Sequence, residues 1–289
     1  MSMIQLRAFH FVAVAGGFSR AAREMAVSQS SLSAQVRQLE ASSGLSLFRR
    51  KPLGVDLTPD GQVLFDVTKR LFAAEAEARA ILRSRRQGGG HLRVAADAAF
   101  HSVQILASLK SSRPDLTFTL SIGNSGHVIE QLVNHRADVG ITARRPPDPQ
   151  LHVRPILSMR IGIFVPTGHE WSARREISTA ELAGRTIVLR EKGSVTRETF
   201  ESTLADHHVA PGNMIEVSSR EAVCEVVAAG LGIGIIADRE IGHDSRLRFL
   251  PLTDSDRTVD EYAVCFIERC RMPIVRDFLT SVSSLSPAP

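Results

Sequence analysis

Gln29, Ser33 and Arg37 stand at i, i+4 and i+8, so on a helix an amide, a hydroxyl and a guanidinium share one stripe. Ser30 lies beside them. Amide and guanidinium groups hydrogen-bond to base edges and phosphates, which makes the stripe a candidate reader of a DNA major groove, with Arg37 better placed for phosphate. Arg49, Arg50 and Lys51 follow as a short cationic cluster before Pro52, suited to phosphate or the minor groove. A second set suits a small anion. Asn124 and Ser125, and then Ser194, Thr196 and Arg197, sit where helices should begin, and a helix N-terminus offers free amides beside these hydroxyls and cation. Plain N-capping is the competing account of Ser125 and Ser194. Arg144, after an apolar strand, can reach the same cleft or stay solvated. Asp97 is the odd member, since a carboxylate there repels an anion unless the ligand also carries a cation.

Other chemistries find less support. Gly230-Leu231-Gly232-Ile233-Gly234 looks like a phosphate loop, but it follows a helix and precedes a strand, the reverse of the dinucleotide order. It reads as a helix C-cap and turn. His207 and His208 are adjacent, so on a helix they diverge, and no Cys or His cluster stands near them to complete a metal site. No GxSxG, HExxH or P-loop occurs. Cys224, Cys265 and Cys270 form no CxxC pair, which points to reduced, buried thiols. No metal, cofactor or catalytic residue is expected.

The elements that must hold these residues can be read from periodicity. Leu6, Phe9, Val12 and Ala13 mark one face of a first helix, Ser19 is the expected cap of a second, and Ser28 of a third with Leu32, Val36 and Leu39 buried. Two helices joined by the turn at 25–28 describe a helix-turn-helix, and the extended residues 55–58 complete a wing. Thr58-Pro59-Asp60 starts a long helix that runs without a breaker to about residue 87, a rod of roughly 40 Å. Along it Leu64, Val67, Leu71, Ala74, Ala78 and Ile81 alternate spacings of three and four, a heptad seam expected to pair with a second copy. Gly88-Gly89-Gly90 then reads as a joint. Beyond it, strands at 91–96, 117–122 and 137–142 alternate with helices at 102–111 and 126–135, a βαβαβ unit with a parallel sheet. Further strands at 160–165, 186–189, 214–217 and 233–236 and helices at 196–207 and 220–229 are enough for two sheets.

Charge agrees with this division. Of the 35 Lys+Arg and 31 Asp+Glu in 289 residues, residues 1–90 hold 13 and 7, and the remainder 22 and 24. A basic segment on a near-neutral body suits a polyanion-binding module joined to something else, although a solvated cationic face would have the same charge. At 43% hydrophobic and 23% charged, the composition excludes a disordered or collagen-like chain. No apolar run approaches the 18 or so residues that cross a bilayer, so the expected location is cytoplasmic, without membrane contact.

Leu6-x-x-Phe9-x-x-Val12, Gly17-Phe18-Ser19-x-Ala21-Ala22, Ser28-Gln29-x-x-Leu32-Ser33-x-Gln35-Val36-x-x-Leu39-Glu40, Gly44-x-x-Leu47-Phe48-x-Arg50 and Leu57-Thr58-x-x-Gly61 together resemble the LysR-type transcriptional regulators in order and spacing. Arg136-Ala137-Asp138-Val139-Gly140-Ile141 and the run from Val227 to Ile235 resemble later landmarks of that family. Position 34 departs from it, being Ala where many members place a long polar residue. The resemblance implies an α/β protein with an all-α N-terminal part: a winged helix-turn-helix (1–65), a linker and dimerisation helix (59–87) carrying Leu64, Val67, Leu71 and Ala78, and an effector domain (91–289) of periplasmic-binding-protein type. Its two lobes would be about 91–163 with 265–289, and 164–264, with a small molecule between them. The implied partners are double-stranded DNA, a small-molecule effector and further copies of the chain as a dimer of dimers. Ala96-Asp97-Ala98-Ala99-Phe100-His101, Ser121 to Ser125, Arg190 to Arg197 and Ser219 to Val223 resemble the branch associated with aminoethylphosphonate catabolism. That implies 2-aminoethylphosphonate, an anion and an ammonium on one small molecule, as effector. The alternatives are another small anion or amino acid as effector, or a cytoplasmic enzyme on a binding-protein fold.

Overall fold

The computed structural model describes residues 1–51, 54–87, 90–240, 242 and 244–283, and divides into two compact units, Met1–Gln87 and Gly88–Pro289. In the first, α1 (Met3–Ala15) starts at a capping box in which Gln5 N donates to Ser2 Oγ and Ser2 N to Gln5 Oε1, and it stops at Gly16, whose φ of 65° is left-handed. α2 (Phe18–Glu24) begins after Gly17 with no side-chain cap. Ser19 is therefore not the cap expected from sequence: its hydroxyl donates to Gln29 Oε1 at 3.0 Å, across the helix-turn-helix. Ala26, at φ 53°, makes the sharp turn into α3 (Gln29–Ser43), which Ser28 caps by accepting from Ser31 N. β1 (Phe48–Lys51) and β2 (Gly54–Leu57) pair antiparallel as the wing. Phe9, Val12, Ala21, Val36 and Leu47 are buried between these elements, each large side chain contributing roughly 1.5–3 kcal/mol.

α4 (Pro59–Gln87) is the long helix, and Thr58 caps it by accepting from Gly61 N at 3.0 Å. The seam expected along α4 divides. Leu64 and Leu71 pack with Phe65 and Phe72 against Leu6, Phe9, Leu39 and Leu47 of the same unit, whereas Val67 is 47% exposed and Ala78 is exposed. Those two leucines, expected to face a partner, are half-buried against their own unit, where α1 passes along α4. Ile81's side chain lies outside the described residues.

The second unit has two lobes that share one strand. β3 (His91–Ala96), α5 (Ala99–Ser112), β4 (Thr117–Ile122), α6 (Ser125–Val133) and β5 (Val139–Thr142) form the parallel βαβαβ unit, in order β4-β3-β5. β6 (Leu151–Pro166) then runs through both lobes. Its end pairs with β9 (Ile233–Ala237) and β10 (Leu247–Pro251), and β9 continues through β7 (Ile187–Arg190) to β8 (Met214–Val217), with α7 (Val195–Asp206) and α8 (Arg220–Ala228) on this second lobe. β11 (Thr258–Phe266) pairs with β5 and with the first part of β6, and α9 (Pro273–Val282) packs on α5. The lobe boundaries therefore differ from those read from sequence. Ile161 already pairs across to Ala237, and the chain rejoins the first lobe at Thr258, where β11 pairs with Arg160 of β6 before Tyr262 to Val264 reach β5.

Candidate functional site

Two sites emerge, one in each unit. In the first, α3 presents Gln29, Ser30 and Arg37 to solvent with Ser33 half-buried between them, as the spacing requires once Leu32, Val36 and Leu39 face the core. Arg37 Nη1 donates to Ser33 Oγ at 3.1 Å, and Ser28 and Ser30 hydroxyls meet at 3.1 Å, so the stripe is pre-ordered by weak, replaceable bonds. Arg49 is exposed on the wing. The side chain of Arg50 lies outside the described residues. Arg20 and Arg23 on α2 are also exposed and carry no ion pair among the described residues, two cations beside α3 that helical spacing alone did not single out. Exposed cations without carboxylate partners can exchange counterions for phosphates.

The second site is a cleft of about 300 Å³ between the lobes, bounded by Asp97, Asn124 and His127 on one side and Arg190, Glu191, Ser219 and Arg220 on the other. Three helices begin at it with polar caps: Asn124 Oδ1 accepts from His127 N at 2.9 Å, Ser194 Oγ from Arg197 N at 3.5 Å, and Ser219 Oγ from Ala222 N at 3.1 Å. Asp97 directly follows β3, and its Oδ2 accepts from Ser125 Oγ at 2.6 Å and Ala143 N at 2.7 Å, while Oδ1 accepts no hydrogen bond from the described residues. Ser125 is thus committed to Asp97 rather than free for a ligand. Thr196 reaches the deeper part of the cleft, and Ser194 serves as cap there.

The two arginines expected in the cleft lie elsewhere. Arg197 is drawn to Glu201 at 2.7 Å and Glu216 at 2.6 Å, and Arg144 to Glu198 at 2.6 Å, pairs that satisfy each guanidinium outside the cavity. In their place stand Arg190, at the carboxyl end of β7, and Arg220, in the first turn of α8. Strand-end position was the available signal for Arg190, and the Ser219 cap for Arg220. Burial opposes the charge of Arg190, but its bonds to Glu191 at 2.7 and 2.9 Å, with the fields of Asp97 and Glu240, raise its pKa. Burial likewise works against Glu191, and the bonds from Arg190 overcome it and lower that carboxyl. The cleft therefore holds fixed charge of both signs. Among the described residues, no group of His, Cys, Asp and Glu could hold a metal ion.

Comparison with known proteins matches both units of the chain to one family. Residues 3–62 match the family described as "Bacterial regulatory helix-turn-helix protein, lysR family", and residues 85–285 match "LysR substrate binding domain". The regulator CbbR of Rhodospirillum rubrum is 31% identical over 236 residues, covering 81% of this chain and 78% of that protein. A full-length OxyR variant from Pseudomonas aeruginosa superposes with a TM-score of 0.73 at 20% identity, over 100% of this chain and 99% of that one. The CcmR regulatory domain of Synechocystis, solved in complex with 2-PG, superposes at 0.62 with 21% identity, over 68% and 97%.

Proposed function

Because this chain belongs to the LysR family of ligand-responsive, DNA-binding transcriptional regulators and is not an enzyme, we propose that it reads its operator with α3 and responds to a small oxyanion that also carries a cation. The effector class is supported by one observation above all: Arg190 and Arg220 share the cleft with Asp97 and Glu191. An arginine and a helix N-terminus attract an oxyanion, and the open Oδ1 of Asp97 suits an ammonium. 2-Aminoethylphosphonate has both ends, and a related phosphonate shares the anionic one. The solved CcmR domain holds 2-PG, and a small anion in a fold of this kind fits the same reading.

DNA binding rests on Gln29, Ser30, Ser33 and Arg37 for the groove and on Arg49 and Arg50 for the backbone. Assembly as a dimer of dimers would use the exposed stripe of α4 at Val63, Val67, Ala74 and Ala78, which are all open to solvent in the single chain. No described helix is long and apolar enough to cross a membrane, and a cytoplasmic setting fits a DNA-binding partner.

Calorimetric titration of the full chain with 2-aminoethylphosphonate and ethylphosphonate tests the effector. Asp97→Asn keeps size and removes charge, so it should weaken the amine-bearing compound roughly 10-fold or more while sparing ethylphosphonate. Equal losses for both would remove Asp97 from the cation site, and no binding of either to the wild type would refute the phosphonate reading.

A further inference from the structure

At the floor of the cleft, beyond the groups already assigned, Glu240 is 91% buried yet only half satisfied. Its Oε1 accepts from Arg220 Nη2 at 2.7 Å, and its Oε2 has no hydrogen-bond partner among the described residues. A buried acceptor left without a donor is costly, and native structures rarely keep one without a use. Two small voids of about 10 Å³ each open onto this carboxyl, sharing Arg190, Thr196 and Arg220 in their walls, and one of them also reaches Asp97 and Ser125. That is room for one water-sized group, in contact with the larger cleft through Asp97, Arg190 and Arg220.

We propose that Glu240 is a specificity-determining residue of the effector site: its open Oε2 accepts a hydrogen bond from an ammonium or hydroxyl group of the ligand, so the site favours small anions that bear such a donor over those that do not. The inference rests on the cleft being the effector site, but not on the effector being a phosphonate. Arg190 donates through Nε and Nη2 to Glu191 and makes no hydrogen bond to Glu240 Oε2. Arg220 satisfies the other oxygen. Burial, aided by the field of Asp97, raises the Glu240 pKa against the opposing pull of Arg220, so a donor that meets Oε2 also offsets the burial of that carboxyl. A plain anion entering here meets an unpaired carboxyl and gains nothing from it. An anion with a donor places that donor in the void and completes the carboxyl's bonds.

The test titrates the full chain, wild type and Glu240→Gln, with matched pairs: 2-aminoethylphosphonate and ethylphosphonate, taurine and ethanesulfonate, β-alanine and propionate, 3-hydroxypropionate and propionate. In the wild type the donor-bearing member of any pair that binds should be tighter by roughly 10- to 100-fold. Glu240→Gln, which keeps an oxygen for Arg220, should lower that ratio by at least about 3-fold in every pair, what remains for the amines being the share of Asp97. A wild-type ratio near one overturns the proposal without recourse to any variant, and so does a ratio that survives Glu240→Gln or that only Asp97→Asn removes. If the phosphonate pair alone fails to bind, the phosphonate reading falls while the other pairs still decide Glu240; if no pair binds, both fall.

Discussion

Replacing Asp138 by alanine removes the centre of a buried ionic cluster in the first lobe. The carboxylate of Asp138 accepts from Arg93 N at 2.9 Å, Arg93 Nε at 3.2 Å and Arg93 Nη2 at 2.7 Å, and from Arg269 Nη1. Arg93 belongs to β3, Asp138 precedes β5 and Arg269 follows β11, so one carboxylate ties three segments of the sheet. The Arg269 side chain is 2% exposed and that of Asp138 10%. In Asp138→Ala the Arg269 guanidinium stays buried without its only charged partner among the described residues, a situation that costs about 3–5 kcal/mol. Against a domain stability of roughly 5–15 kcal/mol, that is a large share. Urea unfolding of the effector unit within the full chain, followed by circular dichroism, should show the midpoint falling with little change in slope. The pH dependence has a definite sign. Burial pushes the Asp138 carboxyl upward, but the bonds and charge of Arg93 and the charge of Arg269 outweigh it and hold it below the ordinary value of 3.8. A depressed carboxyl contributes its stability in full above the unfolded-state value and loses it as pH drops through the folded one. The gap between wild type and Asp138→Ala should therefore be widest near neutrality and narrow below about pH 4. A loss under about 1 kcal/mol at pH 7 would refute the claim that this pair is buried and uncompensated when broken.

His10, buried against Phe11, Phe65 and Phe72 with Thr68 Oγ1 at 3.1 Å, has its pKa lowered to about 4, by burial first and by Lys69 second. The stability it contributes is complete above pH ~6.5 and drains away between there and pH ~4, a loss of about 3 kcal/mol, and NMR titration should find its imidazole still neutral at pH 5.5. Leu71→Glu should lower the melting temperature of the DNA-binding unit, because the carboxylate displaces a side chain packed on Phe9 and Leu39, whereas Val67→Glu should leave melting unchanged and shift sedimentation toward smaller species. Dissociation by Leu71→Glu with unaltered melting would reverse those assignments. Gln29→Ala should relax preference at one operator base by about 1–3 kcal/mol, and Arg49→Ala should weaken all sequences alike and reduce the salt slope by about one; the opposite pattern would exchange their roles.

The elements of the DNA-binding unit are legible from sequence because their signals are local. Ser28 caps the helix that its spacing predicts, Gly44 at φ 70° ends it, and the apolar period of α3 leaves Gln29 and Arg37 no face but the solvent one. The βαβαβ unit is legible for the same reason. Pairings between distant segments were not: β10, β11 and the first half of β6 carry weak local signals, and near the start of β6 the run His152-Val153-Arg154-Pro155 has its place set by Cys265 to Tyr262 across from it. The same distinction governs the sites. Rules about strand ends locate the cleft, but which arginine occupies it depends on where the carboxylates land. Arg197 is satisfied by Glu216, brought beside it by β8, and Arg144 by Glu198 of α7, which leaves the cleft to Arg190 and Arg220. Periodicity marks Leu64 and Leu71 as apolar positions to be covered, yet cannot say by what. Only the packing of α1 along α4 decided that part of their surface is covered within their own unit, since burying apolar surface favours any adequate face and the nearest one in the chain is available without a partner.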